Sequence, residues 1–157
     1  MTKSENKDVE LQEFIGRVVN HLPLKSKDPT LIILKGHLLS EELMNDLISS
    51  VLPHPEHIKK SRFNYAQTLS LAKAVSDDEH HDKWVWLGLK KLNEIRNLYG
   101  HNLEPKEIEI KESEFISYVE KHSKKAAFKN CTELTSAVLT LIAGLKVVCG
   151  GIKNSAK

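Results

Sequence analysis

Apolar residues recur along most of this chain at the three- and four-residue spacing that gives a helix one buried stripe. The first such segment runs from about Val9 to Leu22, with Leu11, Phe14, Ile15, Val18, Val19 and Leu22 on one face, and Pro23 ends it. The second, near Pro29 to Leu52, opens with a proline in its first turn and stops at Pro53. It is apolar almost all round, so it is expected to lie centrally. A third covers about Pro55 to Val75, with Phe63, Ala66, Leu69, Ala72 and Ala74 as core candidates. Ser76 and Glu79 have the spacing of a capping box that starts a fourth, which reaches Tyr99 before Gly100 offers a C-terminal stop. From Leu103 to Ile110 the chain alternates briefly, at Ile108 and Ile110, and reads as extended or irregular. A fifth helix is expected at about Ser113 to Ala127. Asn130 with Glu133 caps a sixth, which carries Leu134, Val138, Leu141, Ile142, Leu145 and Val148.

Strand signals are weak: there is no Asn-Gly or Asp-Gly turn and almost no sustained alternation. About six helices joined by short loops predict an all-α, single-domain bundle over residues 1–157, with 1–8 and 150–157 as flexible tails. Composition adds little to this picture. A hydrophobic fraction of 40% and a charged fraction of 28% are those of an ordinary globular chain. The net charge of +2 does not by itself announce a nucleic-acid binder, although a basic patch can hide in a balanced total.

Targeting signals are equally plain. The start, MTKSENKDVE, has no apolar core. The most apolar stretch, Ser136 to Cys149, is interrupted by Lys146 and falls short of the roughly 20 residues of a membrane span. Cys131 and Cys149 both fall in the sixth predicted helix, about 27 Å apart by helical rise, so they cannot pair within it. Reduced thiols, no membrane and a soluble cytoplasmic protein are the expectation.

The end of the fourth segment changes the picture most. At 100° per residue, Leu89, Leu92, Arg96 and Tyr99 share one stripe with Val85 above them. An arginine in an apolar stripe is costly unless something satisfies its guanidinium. His101 lies just past Gly100, where a turn would bring the imidazole back toward Arg96, and Asn97 is adjacent with an amide that orients either group. A permanent cation, a titratable imidazole and an amide at one helix end suit a phosphate. The bland alternative is a cation placed favourably at a helix C-terminus, with an ordinary histidine after it.

The run Leu92-Asn93-Glu94-Ile95-Arg96-Asn97-Leu98-Tyr99-Gly100-His101 resembles the Arg-x4-6-His signature of the HEPN superfamily, including the polar residue after the arginine. A wider pattern over roughly Leu31 to Ile110, from Arg62-Phe63 through Leu69 and Ala72 to Arg96-Asn97 and Gly100-His101, is similar to the mannitol-operon-repressor-like proteins. The resemblance implies a small helical bundle that forms a homodimer and, in active members, a metal-independent endoribonuclease needing no cofactor. In such an enzyme Arg96 would hold the scissile phosphate, His101 would move the proton as the ribose 2′-OH attacks, and Asn97 would position one of them. The repressor-like relatives imply the alternative: a non-catalytic regulatory module that binds a protein or nucleic acid.

Other groupings rank lower. His37 and Glu41 are one turn apart on the arc of Leu34, Met44 and Ile48; a buried His–Glu hydrogen bond is favoured over a metal site, which normally needs three protein donors, and the pair could also wall the Arg96 pocket. Asp77-Asp78-Glu79-His80-His81-Asp82 looks like a metal cluster but coincides with a helix start, where acidic residues are favoured. His54 and His57 flank prolines and are expected in solvent. Two basic groupings, Lys59, Lys60 and Arg62, and Lys121, Lys124, Lys125 and Lys129, either track a phosphate backbone or are solvated faces; Arg96, Lys60 and Arg62 are the phosphate-binding candidates. Trp84 and Trp86 cannot both face the core, and an exposed one would mark a subunit contact or a partly covered surface.

Overall fold

The computed structural model describes residues 3–76, 83–123 and 128–155. Their regular structure is all helical: α1 (Lys3–His21), α2 (Pro29–Val51), α3 (Pro55–Lys59), α4 (Tyr65–Val75), α5 (Lys83–His101), α6 (Ile108–Ser123) and α7 (Glu133–Ser155). Helix α2 packs against α3, α4, α5 and α7, which is the central place its all-round apolar surface predicts. Its start is fixed locally: the Asp28 carboxylate accepts from the backbone N–H groups of Thr30 and Leu31, and Pro29 sits where a missing N–H costs nothing.

The segment expected to be a single third helix is two. Asn64 starts α4 with a reciprocal capping box, its side chain accepting from Gln67 N–H while the Gln67 side chain accepts from Asn64 N–H. That cap sets a register that buries Tyr65, Thr68 and Ala72, so Ala66, Ala74 and the loop residue Phe63 lie outside the core. Only Ala72 of the expected set is fully buried, with Leu69 half-covered.

Three other boundaries differ from the sequence pattern for local reasons. Helix α5 runs through Gly100, whose φ is not positive, and closes one residue later, where Asn102 donates from both backbone and side chain to the Leu98 carbonyl. Asn130 does not cap α7; it takes a left-handed φ of 67° in the preceding turn, and the Thr132 hydroxyl accepts from Thr135 N–H instead. Cys131 therefore precedes α7 rather than lying within it, while Cys149 lies toward the C-terminal end of that helix. Helix α6 begins at Ile108, inside the stretch that reads as irregular. The Ser76–Glu79 cap, the Asp77–Asp82 cluster and Lys124, Lys125 and Ala127 fall wholly or partly outside the described residues.

The core is contributed chiefly by α2, α5 and α7. Leu134, Val138, Leu141, Ile142, Leu145 and Val148 are all buried, as are Val85, Leu89 and Leu92 on α5. On α1 and just after it, by contrast, Val18 and Leu22 reach the core while Leu11, Ile15 and Val19 are exposed. Over Glu133–Gly150 α7 has a mean hydropathy of 1.6 and is, by length and composition, long enough to cross a membrane; 61% of that window is buried in the bundle, as in a core helix. The apolar run is thus longer than the sequence pattern alone indicates.

Close helix approach depends on glycine. A Cβ on Gly36 of α2 would overlap Val138 Cγ1 of α7, and one on Gly88 of α5 would lie 2.7 Å from Leu141 Cδ1. Val138 is β-branched and stiff in a helix, so it cannot swing aside. Gly36→Val is therefore expected to cost about 1–3 kcal/mol by overpacking, read as a lower urea midpoint with unchanged slope. Truncating the facing residue, Val138→Ala, should recover part of the loss.

Candidate functional site

The stripe on α5 leads out of the core to a recess at the surface. Val85, Leu89 and Leu92 are fully buried, then Arg96 and Asn97, one turn further, are half-exposed. Across from them, α2 presents His37 and Glu41, and the start of α4 presents Asn64 and Tyr65; the cavity between these three helices has a volume of about 440 Å³. His37 and Glu41 thus wall the Arg96 pocket, as their spacing allowed.

His37 is fixed by one hydrogen bond and one ring stack. Its Nε2 donates to Asn93 Oδ1 at 3.0 Å, and its ring stacks on Tyr65 with centroids 3.9 Å apart. The Ser40 hydroxyl donates to the His37 carbonyl at 2.8 Å, which leaves Tyr65 as the donor in the 2.7 Å Tyr65–Ser40 bond. The expected His37–Glu41 hydrogen bond is not formed; Asn93 takes the imidazole N–H instead.

With Nε2 carrying the proton, Nδ1 is a buried lone pair with no hydrogen-bond partner among the described residues. A second proton there would be a buried, unanswered charge. Burial accordingly holds the His37 pKa below its ordinary 6.5, with the nearby Arg96 adding to the effect and the Asn93 bond and Glu41 opposing it. Below about pH 6.5 the unfolded chain binds a proton that folded His37 refuses, so stability falls as the pH drops through the unfolded value and levels off only below the folded one. His37→Gln, whose amide N–H can still reach Asn93, should flatten the loss of melting temperature between pH 7 and 5. An equally steep loss in the variant would show that the exposed histidines or carboxylates carry it. Burial also raises the Tyr65 pKa, so the phenol stays protonated and donating.

Arg96 has only one side-chain partner among the described residues: Nη1 donates to Asn97 Oδ1 at 3.3 Å. Its guanidinium lies toward Gly100, where a Cβ would sit 3.5 Å from Nη1, and no carboxylate of the described residues comes within ion-pair distance. Tyr99, on the same helix end, donates to Glu112 and so ties α5 to α6; burial first, then that carboxylate, raises its pKa. Compared with known protein families, curated proteins and solved structures, the chain matches none.

Three amides line the recess. Asn93 Oδ1 accepts from His37, Asn97 Oδ1 from Arg96 and Asn64 Oδ1 from the Gln67 backbone, so each has its oxygen engaged and its NH2 group left to donate. Together with Arg96 they make a donor-rich cradle, with Glu41 as its acidic acceptor. Such a site favours an oxyanion that also carries a hydroxyl or amine.

His101 is not part of it. Because α5 continues through Gly100, five helical steps separate Arg96 from His101, roughly 140° around the axis. The imidazole is exposed and does not line the recess. Lys60, the C-cap of α3, does not line the recess, and neither do Lys59 and Arg62, which line a second cavity between α2 and the α3–α4 turn. Trp86 is buried and Trp84 is half-buried on Gly144, so neither is an exposed subunit marker. His54 and His57 are exposed, as expected. Among the described residues no three His, Cys, Asp or Glu side chains converge to hold a metal.

Asn93 and Asn64 are the site residues that sequence reasoning missed. Both left a trace: Asn93 lies one turn before Arg96 and Asn97 on the same face, and Asn64-x-x-Gln67 is a capping signature inside an otherwise apolar run.

Proposed function

We propose that this chain is a HEPN-like helical module that binds the phosphodiester of single-stranded RNA in the recess around Arg96. The observation that carries the reading is a guanidinium without a carboxylate partner among the described residues, on a residue that lines one open cavity together with three asparagines whose Oδ1 atoms are already engaged. The phosphate oxygens take the guanidinium and the amides, and a ribose 2′-OH donates to Glu41, the group in the cradle that rewards RNA over DNA.

A second reading, endoribonuclease, draws support from His101, which is exposed at the end of the same helix. With His101 outside its own Arg96 recess, cleavage calls for the imidazole of a second copy. The 2′-oxygen then forms the new bond to phosphorus as the 5′-oxygen leaves, giving a 2′,3′-cyclic phosphate and a 5′-hydroxyl, with the imidazole moving the proton. Regulation by RNA binding without cleavage needs no such partner and is the reading the single-chain geometry favours.

Labelled single-stranded RNA incubated in EDTA separates the two. Binding lost in Arg96→Ala without any cleavage supports the module. EDTA-resistant cleavage lost in both Arg96→Ala and His101→Ala supports the enzyme. Wild-type protein that neither binds nor cuts a broad RNA panel sinks both.

A further inference from the structure

The Arg96 recess opens beside a larger cavity, of about 670 Å³, and Glu41 lines both. The second cavity lies between α2 and the turn joining α3 to α4, a segment with unusual chemistry for a surface loop. Phe63 is 39% exposed there, although its neighbour Tyr65 is buried. The Asn64 capping box pins the loop between them, so Phe63 is held at the cavity wall rather than free to collapse inward. Lys59 and Arg62 line the same cavity, and neither makes an ion pair among the described residues. Asp46, the other carboxylate in this cavity, faces Arg17 at 3.9 Å, and Arg17 also pairs with Glu42.

An exposed aromatic ring that shares a cavity with two cations, next to a donor-rich cradle, suits what a single strand presents at successive positions: phosphate, base, phosphate. Both cavities fall within the range of volumes that hold a small-molecule-sized group. We infer that the Phe63 cavity is the adjoining nucleotide subsite: Phe63 stacks a base, Arg62 and Lys59 hold the next phosphate, and Glu41 marks the division between the two positions. This rests on the reading of the Arg96 recess as an RNA phosphate site, and it assigns the strand a path between α5, α2 and the α3–α4 turn.

The test uses the full chain, a short fluorescein-labelled oligoriboadenylate, and inorganic phosphate followed by the backbone amide NMR shifts of Asn93 and Arg96. Phe63→Ala should weaken the oligonucleotide about 5- to 150-fold, the range that removing one base stack brings, and leave the phosphate shifts unchanged. Phe63→Leu, which keeps apolar area but has no π face, should lose most of the same affinity. Phe63→Trp should bind like the parent, with its indole emission quenched as the oligonucleotide is added. Arg62→Gln should reduce the salt dependence of binding by about one ion. Circular dichroism of each variant checks the fold, which an exposed loop side chain should not disturb.

Oligonucleotide binding that needs Arg96 but is indifferent to Phe63 and Arg62 overturns this inference and leaves the Arg96 site standing. Full affinity in Phe63→Leu overturns the stacking role. No oligonucleotide binding by the parent protein overturns both.

Discussion

Replacing Arg96 with alanine is expected to weaken binding of a short single-stranded RNA by roughly 10- to 100-fold, with little change in melting temperature. The size follows from the chemistry of a guanidinium on a phosphate: hydrogen bonds to a charged group contribute about 1.5–3 kcal/mol, and each 1.4 kcal/mol is about a factor of ten in affinity. The stability expectation comes from the structure. Arg96 is half-exposed, its one side-chain bond among the described residues is to the neighbouring Asn97, and water can replace the guanidinium on that amide. Arg96→Lys should fall between, since an ammonium keeps the charge but not the planar fork. The slope of log affinity against log salt should also fall by about one in Arg96→Ala, as for any side chain that neutralises one phosphate. An alanine variant that binds RNA as tightly as the parent, at matched salt, removes the site from the recess.

The largest stability effect is expected in the core, at Leu141. This residue is fully buried on α7 and points its Cδ1 at the Gly88 position of α5, where the two helices approach closely. Leu141→Ala should cost about 3–5 kcal/mol, the transfer energy of the deleted atoms plus a cavity that rigid flanking helices cannot close. That is a large share of the roughly 5–15 kcal/mol typical of a whole domain, so a melting temperature lower by about 10 °C is expected. The same geometry predicts a coupling. Gly88→Ala in the parent places a methyl against Leu141 Cδ1 and is expected to destabilise; in the Leu141→Ala background the methyl enters the vacated space and is expected to stabilise. Additive effects in chemical denaturation would mean that Gly88 and Leu141 are not packed against each other.

Both sets of residues show where a one-dimensional reading holds and where it stops. The stripe Val85, Leu89, Leu92 and the six apolar positions of α7 are visible as periodicity, and all are buried. Periodicity also marks α1, yet Leu11, Ile15 and Val19 are exposed there, because an amphipathic pattern shows which face is apolar and not how much partner surface is available to cover it. The split of α3 from α4 is legible in principle, through Asn64 and Gln67, but a sequence in which apolar spacing continues past a cap reads as unbroken.

The chain's own order of residues determines an all-helical fold, a central α2 and the placing of Arg96 and Asn97 where a buried stripe meets solvent. These follow from local spacing and capping, interactions within a turn or two of each residue. Which groups meet Arg96 was decided only by packing. His37 and Asn93 are 56 positions apart, and their bond exists because α2 and α5 lie side by side. That bond selects the histidine tautomer and engages the Asn93 oxygen, and the continuation of α5 through Gly100 keeps His101 from the same recess. Side-chain polarity can be read from a sequence, but the direction in which a donor points depends on which acceptor has already claimed its other end.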